Sequence, residues 1–114
     1  MLYIGEAFVK GGQWASYPPH KHDDDNMPIE AETEEIYYYE FKKESGFGIQ
    51  RVYTMEGDVD EVYVVKSGDF VEIPRGYHPF HAAPGYDNYY LWIMAGKDRG
   101  FFMTTDEEHA WLNK

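Results

Sequence analysis

His20 and His22 stand one residue apart in the stretch SYPPHKHD, residues 16–23. In an extended chain, positions i and i+2 share a face, so both imidazoles can bind one divalent metal ion. Pro18 and Pro19 stiffen the approach to them. By itself an HxH pair is as much a feature of surface loops as of metal sites, so further ligands must come from elsewhere in the chain. Two places offer them: the Glu34-Glu35 pair that opens the run EEIYYY, and His78 at the end of the string IPRGYH. Three imidazoles and one carboxylate around an ion leave room for substrate oxygens, as a catalytic site requires.

Successive strand residues point to opposite faces, so only one of Glu34 and Glu35 can look inward. Glu35 shares its face with Tyr37, Tyr39 and Phe41, whereas Glu34 shares its face with Ile36, Tyr38 and Glu40, a set that ends in a charge. The expected inward ligand is Glu35, with Glu34 at the surface. His81 is the rival to His78, but it lies three residues away, and in a strand the two cannot share a face.

The elements that must position these groups read as strands. Turn signals recur at Gly11-Gly12, Ser45-Gly46, Glu56-Gly57-Asp58, Ser67-Gly68-Asp69, Pro74-Arg75-Gly76 and Pro84-Gly85, a density typical of an antiparallel sandwich or barrel. Between them, runs rich in Tyr, Val, Ile and Phe predict strands over 2–9, 35–41, 48–54, 61–65, 70–73, 78–83 and 89–94. Only the C-terminus has helical character. Thr105 and Glu108 have capping-box spacing ahead of His109-Ala110-Trp111-Leu112. Residues 23–35 form a long acidic connection, read mainly as a solvated loop, although such loops often rim a site. Trp14, Trp92 and Trp111 read as core.

The 114 residues are expected to make one domain, 1–114. A net charge of −11 repels nucleic acid and anionic membranes, so neither is an expected partner. An anionic substrate would need local positive charge, from a metal ion and one or two arginines. The chain has no cysteine, which excludes disulfides and thiolate zinc ligands and fits a cytoplasmic protein. Met1 to Val9 lacks the basic start and apolar stretch of a secretory leader.

The segment from Gly68 through Pro74 and Gly76 to His78 resembles the second half of the cupin signature, and Gly12, His20, His22, Glu35 and Gly46 fall on the positions of its first half. Twelve residues separate His22 from Glu35, more than the general cupin pattern has. The resemblance implies an all-β fold, a cupin jelly-roll barrel of two antiparallel sheets with the short C-terminal helix appended. The strings SYPPHKHD, EEIYYY, GFGIQRVYT, GDVDEVYVV, IPRGYHPFHAAPGYDNYYLWIMAG and HAW are more specific. Together they resemble the 5-deoxy-glucuronate isomerases, enzymes of inositol catabolism, and the long loop between HxH and Glu fits that family. The resemblance implies aldose–ketose isomerisation of a small sugar acid, a deoxy-uronate, on one divalent ion: zinc, manganese or iron. It also implies a bicupin whose C-terminal, metal-bearing half this chain looks like, either as a piece of such a protein or as a natural single-cupin relative. The expected partner is then an N-terminal cupin half or a second copy in a homodimer.

Such a reaction moves a proton between neighbouring carbons through an enediol, so a proton carrier must stand near the substrate. Tyr37 and Tyr39, on the face of Glu35, are candidates, as are Glu30 and Glu32 from the acidic loop. Gln50 is a candidate partner for the Glu35 carboxylate or for a metal-bound water. Arg51 and Arg75 are candidates for the substrate carboxylate through the guanidinium fork, and Tyr90 for the pocket wall. Two other readings use the same residues: a cupin dioxygenase, usually with iron, and a non-catalytic sugar-binding or structural cupin domain.

Overall fold

Alternation along the chain builds the sheets. In β4, Thr33–Phe41, residues 33, 35, 37, 39 and 41 are buried and those between them lie nearer solvent. The strand therefore lays Thr33, Glu35, Tyr37, Tyr39 and Phe41 toward a core. The computed structural model describes residues 1–113. Its other strands are β1 (Leu2–Val9), β2 (Trp14–Ala15), β3 (His20–Lys21), β5 (Phe47–Tyr53), β6 (Asp60–Lys66), β7 (Phe70–Ile73), β8 (Phe80–Ala82), β9 (Asn88–Gly96) and β10 (Thr104–Thr105). A short 3-10 helix, Glu107–Leu112, follows. One sheet has the order β1-β9-β4-β7, the other β2-β8-β5-β6, and β3 pairs with β10 in a separate ladder. All the pairings are antiparallel. The chain crosses repeatedly between the two sheets, making the jelly-roll barrel of a cupin-like all-β fold.

The inner faces close on one core. Val9, Tyr39, Phe41, Val71 and Ile73 come from the first sheet, and Val52, Val65, Phe80 and Ala82 from the second. Phe80 is fully buried and packs on Tyr39 and Tyr90 with ring centroids 5.2 and 5.7 Å apart. Burying a side chain of this size contributes about 1.5–3 kcal/mol. Register then fixes where the chemistry falls. Glu35 lies between Met94 of β9 and Ile73 of β7, directly beyond the apolar and aromatic ladder of Tyr37 and Tyr39.

Four expectations change. The strand expected over 78–83 is the shorter β8, because Pro79 has no N–H for a ladder, and His78 is left in the turn before it. Thr105 does not cap the helix: it is spent in β10, paired with His20. Asp106 is the cap, its side chain accepting from the Glu108 N–H at 3.1 Å. Trp14 and Trp111 are surface residues, 47% and 64% exposed. Trp14 sits on an edge strand and packs on His81, ring centroids 4.9 Å apart. Leu2, Ile4, Phe8, Ile36 and Phe70 are also exposed, on the outer face of the first sheet. Among the described residues, no helix is long and apolar enough to cross a membrane.

Candidate metal centre

Three segments converge. The HKH stretch is held in β3 by pairing of His20 with Thr105 and of Lys21 with Thr104. The Thr33 N–H then donates to the His22 carbonyl at 2.7 Å. Glu35 projects inward from β4. His78 comes from the turn after Pro74, which depends on Gly76. Its φ is +97°, and a Cβ there would lie 2.8 Å from the Tyr53 carbonyl oxygen, so a side chain brings both strain and a clash. Tyr53 and Tyr77 exchange backbone hydrogen bonds at 2.9 and 2.8 Å, which ties this turn to the end of β5.

Glu35 Oε1 lies 3.1 Å from His22 Nε2 and 3.2 Å from His78 Nε2. One ligand atom from each of the three residues falls within 4.8 Å of the others. His78 Nδ1 donates to the Gly76 carbonyl at 2.9 Å, and His22 Nδ1 faces the Thr33 carbonyl at 3.2 Å and Thr33 Oγ1 at 2.6 Å. A carbonyl only accepts, so in the neutral rings the hydrogens sit on Nδ1 and the lone pairs on Nε2. Both lone pairs then face a carboxylate oxygen. His78 Nε2 is buried with no hydrogen-bond partner among the described residues, since Glu35 stands near it but off the line of a hydrogen bond.

Positive charge among these atoms would satisfy them, either the proton that Glu35 favours on His22 or a metal ion. Two atoms each about 2.1 Å from one ion stand roughly 3.0–3.4 Å apart, and the Glu35–imidazole separations fall in that range. The donor set therefore fits a divalent ion. His20 stands beside the cluster, its ring 5.1 Å from that of His78 and 6.3 Å from that of His22. Its nitrogens lie outside the three-residue group.

Burial acts to raise the Glu35 carboxyl, but the His22 and His78 imidazoles outweigh it and hold it down to about 2. Burial also opposes charge on His22, yet Glu35 prevails and moves its pKa up. His20 is pushed down to about 4 by burial and then by His78 and His22. A neutral ring at neutral pH suits a ligand.

The cluster opens into a pocket of about 350 Å³ lined by Ser16, His20, His22, Glu35, Tyr37 and Tyr90 and by apolar Trp92, Met94, Phe101 and Met103. The Tyr37 hydroxyl lies 2.8 Å from Ser16 Oγ. Burial first, and then the Glu35 carboxylate, push its pKa well above the ordinary phenol value.

The structure brings Tyr37 and Tyr90 to the pocket and takes the other candidates elsewhere. The Tyr39 hydroxyl donates to Gln50 Oε1 at 2.6 Å inside the core. The Gln50 amide donates to the His78 and Pro79 carbonyls at 2.9 and 3.2 Å. It holds the backbone of the His78 turn, not the Glu35 carboxylate. Arg51 points outward, because strand alternation that puts Gln50 inward sends its neighbour out; it pairs with Asp60 at 3.1 Å and lies 4.0 Å over the Tyr53 ring. Arg75 pairs with Asp58 at 2.7 Å and lines a separate cleft that also contains Glu32 and Glu34. Glu30 is buried, but its oxygens are taken by Lys21 Nζ at 2.8 Å, by the N–H groups of Asp23 and Asp24 at 2.8 and 2.7 Å, and by the Thr104 hydroxyl. The acidic connection is thus folded around Lys21 in its first part and is no free loop there.

A family model described as KduI/IolB matches residues 1–112. The chain belongs to the KduI/IolB family. Over 111 residues it is 50% identical to the 5-deoxy-glucuronate isomerase of Geobacillus kaustophilus (strain HTA426), covering 97% of this chain and 40% of that protein. The isomerase of the same name from Lacticaseibacillus casei is 45% identical over 97% of this chain and 41% of its own length. The crystal structure of an IolB-like protein from Salmonella typhimurium LT2 superposes with a TM-score of 0.97 and 43% identity, over 99% of this chain and 43% of that one. The chain spans about two fifths of the length of the curated KduI/IolB relatives it matches.

In this family member several residues at the site carry little signal in the sequence. Thr33 carries the same alternation as Glu35 and was findable by counting back two residues from it. Ser16, Phe101 and Met103 had no local signal, since they reach the pocket from distant segments. Lys21 and Asp23 were visible only as a charge next to an acidic run.

Proposed function

We propose that this chain is the metal-bearing, C-terminal part of a 5-deoxy-glucuronate isomerase, acting in an aldose–ketose isomerisation of a deoxy-uronate in inositol catabolism. The observation that carries the reading is the family match along residues 1–112, with relatives of that name about half identical. The convergence of His22, Glu35 and His78 supports its metal part.

When bound, a zinc, manganese or iron ion held by His22, Glu35 and His78, with His20 beside them, supplies positive charge for a substrate oxygen that turns negative as its neighbouring carbon loses a proton. The Tyr37 hydroxyl, protonated at neutral pH, donates a hydrogen bond to a substrate oxygen, and it is too weak an acid to serve as a phenolate base. Ser16 Oγ orients that hydroxyl. Trp92, Met94, Phe101 and Met103 give the pocket an apolar side, which strengthens charge interactions next to it, and Tyr90 forms a wall for the sugar. Among the described residues lining the pocket there is no lysine or arginine, and Arg51 and Arg75 are paired with Asp60 and Asp58, so we place the positive partner of the substrate carboxylate outside this pocket lining. The exposed apolar face with Leu2, Ile4, Phe8, Ile36 and Phe70 is the surface offered to an N-terminal cupin half or to a second copy.

The test is metal content by elemental mass spectrometry, followed by NMR of 5-deoxy-glucuronate conversion, on the full-length protein and on this chain alone. About one zinc or manganese ion per chain is expected, with conversion by the full-length protein. Iron with oxygen uptake would replace this reading by a dioxygenase. An ion without conversion would leave a binding domain, and no ion would remove the metal part.

A further inference from the structure

Lys21 separates the two histidines of the HKH stretch, and its side chain is only 16% exposed. Its ammonium stands 2.8 Å from Asp23 Oδ1, 3.2 Å from Asp24 Oδ2 and 2.8 Å from Glu30 Oε2. Asp23 uses its second oxygen differently. Its Oδ2 accepts the Gly76 N–H at 2.6 Å, a contact between residues 53 positions apart. The Gly76 carbonyl in turn accepts the Nδ1–H of His78 at 2.9 Å. An unbroken path therefore runs from Glu30 through Lys21, Asp23 and Gly76 to His78. It joins the two segments that supply imidazoles and ends on the nitrogen that sets the His78 tautomer.

We propose that Asp23 is a positioning residue of the metal centre: it holds the peptide between Arg75 and Gly76 while Tyr53 holds the next peptide through the Tyr77 N–H, and together they keep the Gly76 carbonyl on His78 Nδ1 and the His78 Nε2 lone pair toward Glu35. The inference rests on the metal reading above. Glycine populates positive and negative φ with similar ease, so the Gly76 carbonyl keeps one orientation only while the peptides on both sides of Gly76 are held. Tyr53 holds the one after it through the Tyr77 N–H, Asp23 holds the one before it, and Lys21 fixes Asp23 from the other side. Without the clamp, the His78 ring is free to move its hydrogen to Nε2, which is then no ligand. Groups that orient a ligand histidine in this way typically change metal affinity when removed.

The experiment uses the full-length protein, with zinc affinity measured by chelator competition and the His78 ring tautomer read by nitrogen NMR on the metal-free form. Asp23→Ala is expected to weaken zinc binding about 10–100-fold and to mix the His78 tautomers. Asp23→Asn keeps an oxygen for the Gly76 N–H and is expected to recover most of the affinity. Asp58→Asn, which frees Arg75 in the same turn without touching Gly76, is expected to bind zinc as the parent does. Wild-type zinc affinity in Asp23→Ala, or an equal loss in Asp58→Asn, overturns the proposal. If Asp23→Ala does not fold, metal-free wild-type protein decides: fast hydrogen exchange at the Gly76 amide overturns the clamp, and protection with a single His78 tautomer supports it. Wild-type protein that takes up no zinc sinks the metal reading and this proposal with it, whereas normal wild-type uptake with an unaltered Asp23→Ala sinks this proposal alone.

Discussion

Glu35 Oε1 faces His78 Nε2 across 3.2 Å, while the other nitrogen of that ring is committed to the Gly76 carbonyl. The same carboxylate oxygen meets His22 Nε2 at 3.1 Å. A neutral amide in place of the carboxylate removes the one anion of the group. Glu35→Gln is therefore expected to lower metal affinity on the order of 100-fold or more, at or above the loss seen for groups that only orient ligands. Glu34→Gln, on the outer face of β4, is expected to keep its metal. Elemental analysis of both purified variants reads the difference, and loss in Glu34→Gln would count against the assignment.

Glu35 was legible because the string TEEIYYYEF alternates strictly, and a strand with one buried face leaves no choice of which glutamate looks inward. His78 is legible in the run from Gly68 through Pro74 and Gly76, which resembles the second half of the cupin signature. The Gln50-Arg51 pair shows where reading stops. Strand geometry says that one of the two is inward but not which. The answer depends on Tyr39 and two carbonyls satisfying the Gln50 amide, partners that lie far along the chain. Glu30 and Arg75 escaped for the same reason. Each is spent on an opposite charge, Lys21 or Asp58, and a linear sequence does not show which charges meet. Trp14 was read as core by its type alone, but a two-residue edge strand has too few neighbours to cover it.

Gly76 and Gly57 both have positive φ, +97° and +79°, yet only Gly76 is crowded: nothing lies within 4 Å of a Cβ built on Gly57. Gly57→Ala is expected to cost the backbone term alone, about 1 kcal/mol. Gly76→Ala adds a clash with the Tyr53 carbonyl and is expected to cost roughly 2–3 kcal/mol or more. Chemical denaturation of both variants measures the gap. Equal losses would mean that the turn relaxes around the added methyl.

Tyr39→Phe removes the hydroxyl that donates to Gln50 Oε1 at 2.6 Å, leaving a buried acceptor unpaired at a cost of about 1–3 kcal/mol. For a chain of this size each kcal/mol lowers Tm by about 4–8 °C. Gln50 still holds the His78 carbonyl in this variant, so metal stoichiometry is expected to stay unchanged. Gln50→Leu breaks both contacts and is expected to lose stability and metal together. A Tyr39→Phe protein that melts normally but converts substrate poorly would return Tyr39 to the chemistry.

Asp58 offers a pH test remote from the metal centre. Arg75 Nη1 donates to its carboxylate at 2.7 Å and the Thr54 hydroxyl at 2.6 Å. Arg75 first, then Thr54, hold its pKa down to about 2. That is below the value near 3.9 of an unfolded aspartate. The pair's stabilisation is therefore complete above roughly pH 4 and is lost as pH falls through about 2. Because the pair is exposed to solvent and screened, its contribution is small, and the titration itself is the better readout. Carboxyl carbon NMR is expected to show Asp58 titrating near 2 in the parent and clearly higher in Arg75→Ala, with Thr54 keeping part of the depression. An Asp58 that titrates near 4 in the parent would mean that the pair does not form in solution, and Arg75 would again be free to seek a substrate carboxylate.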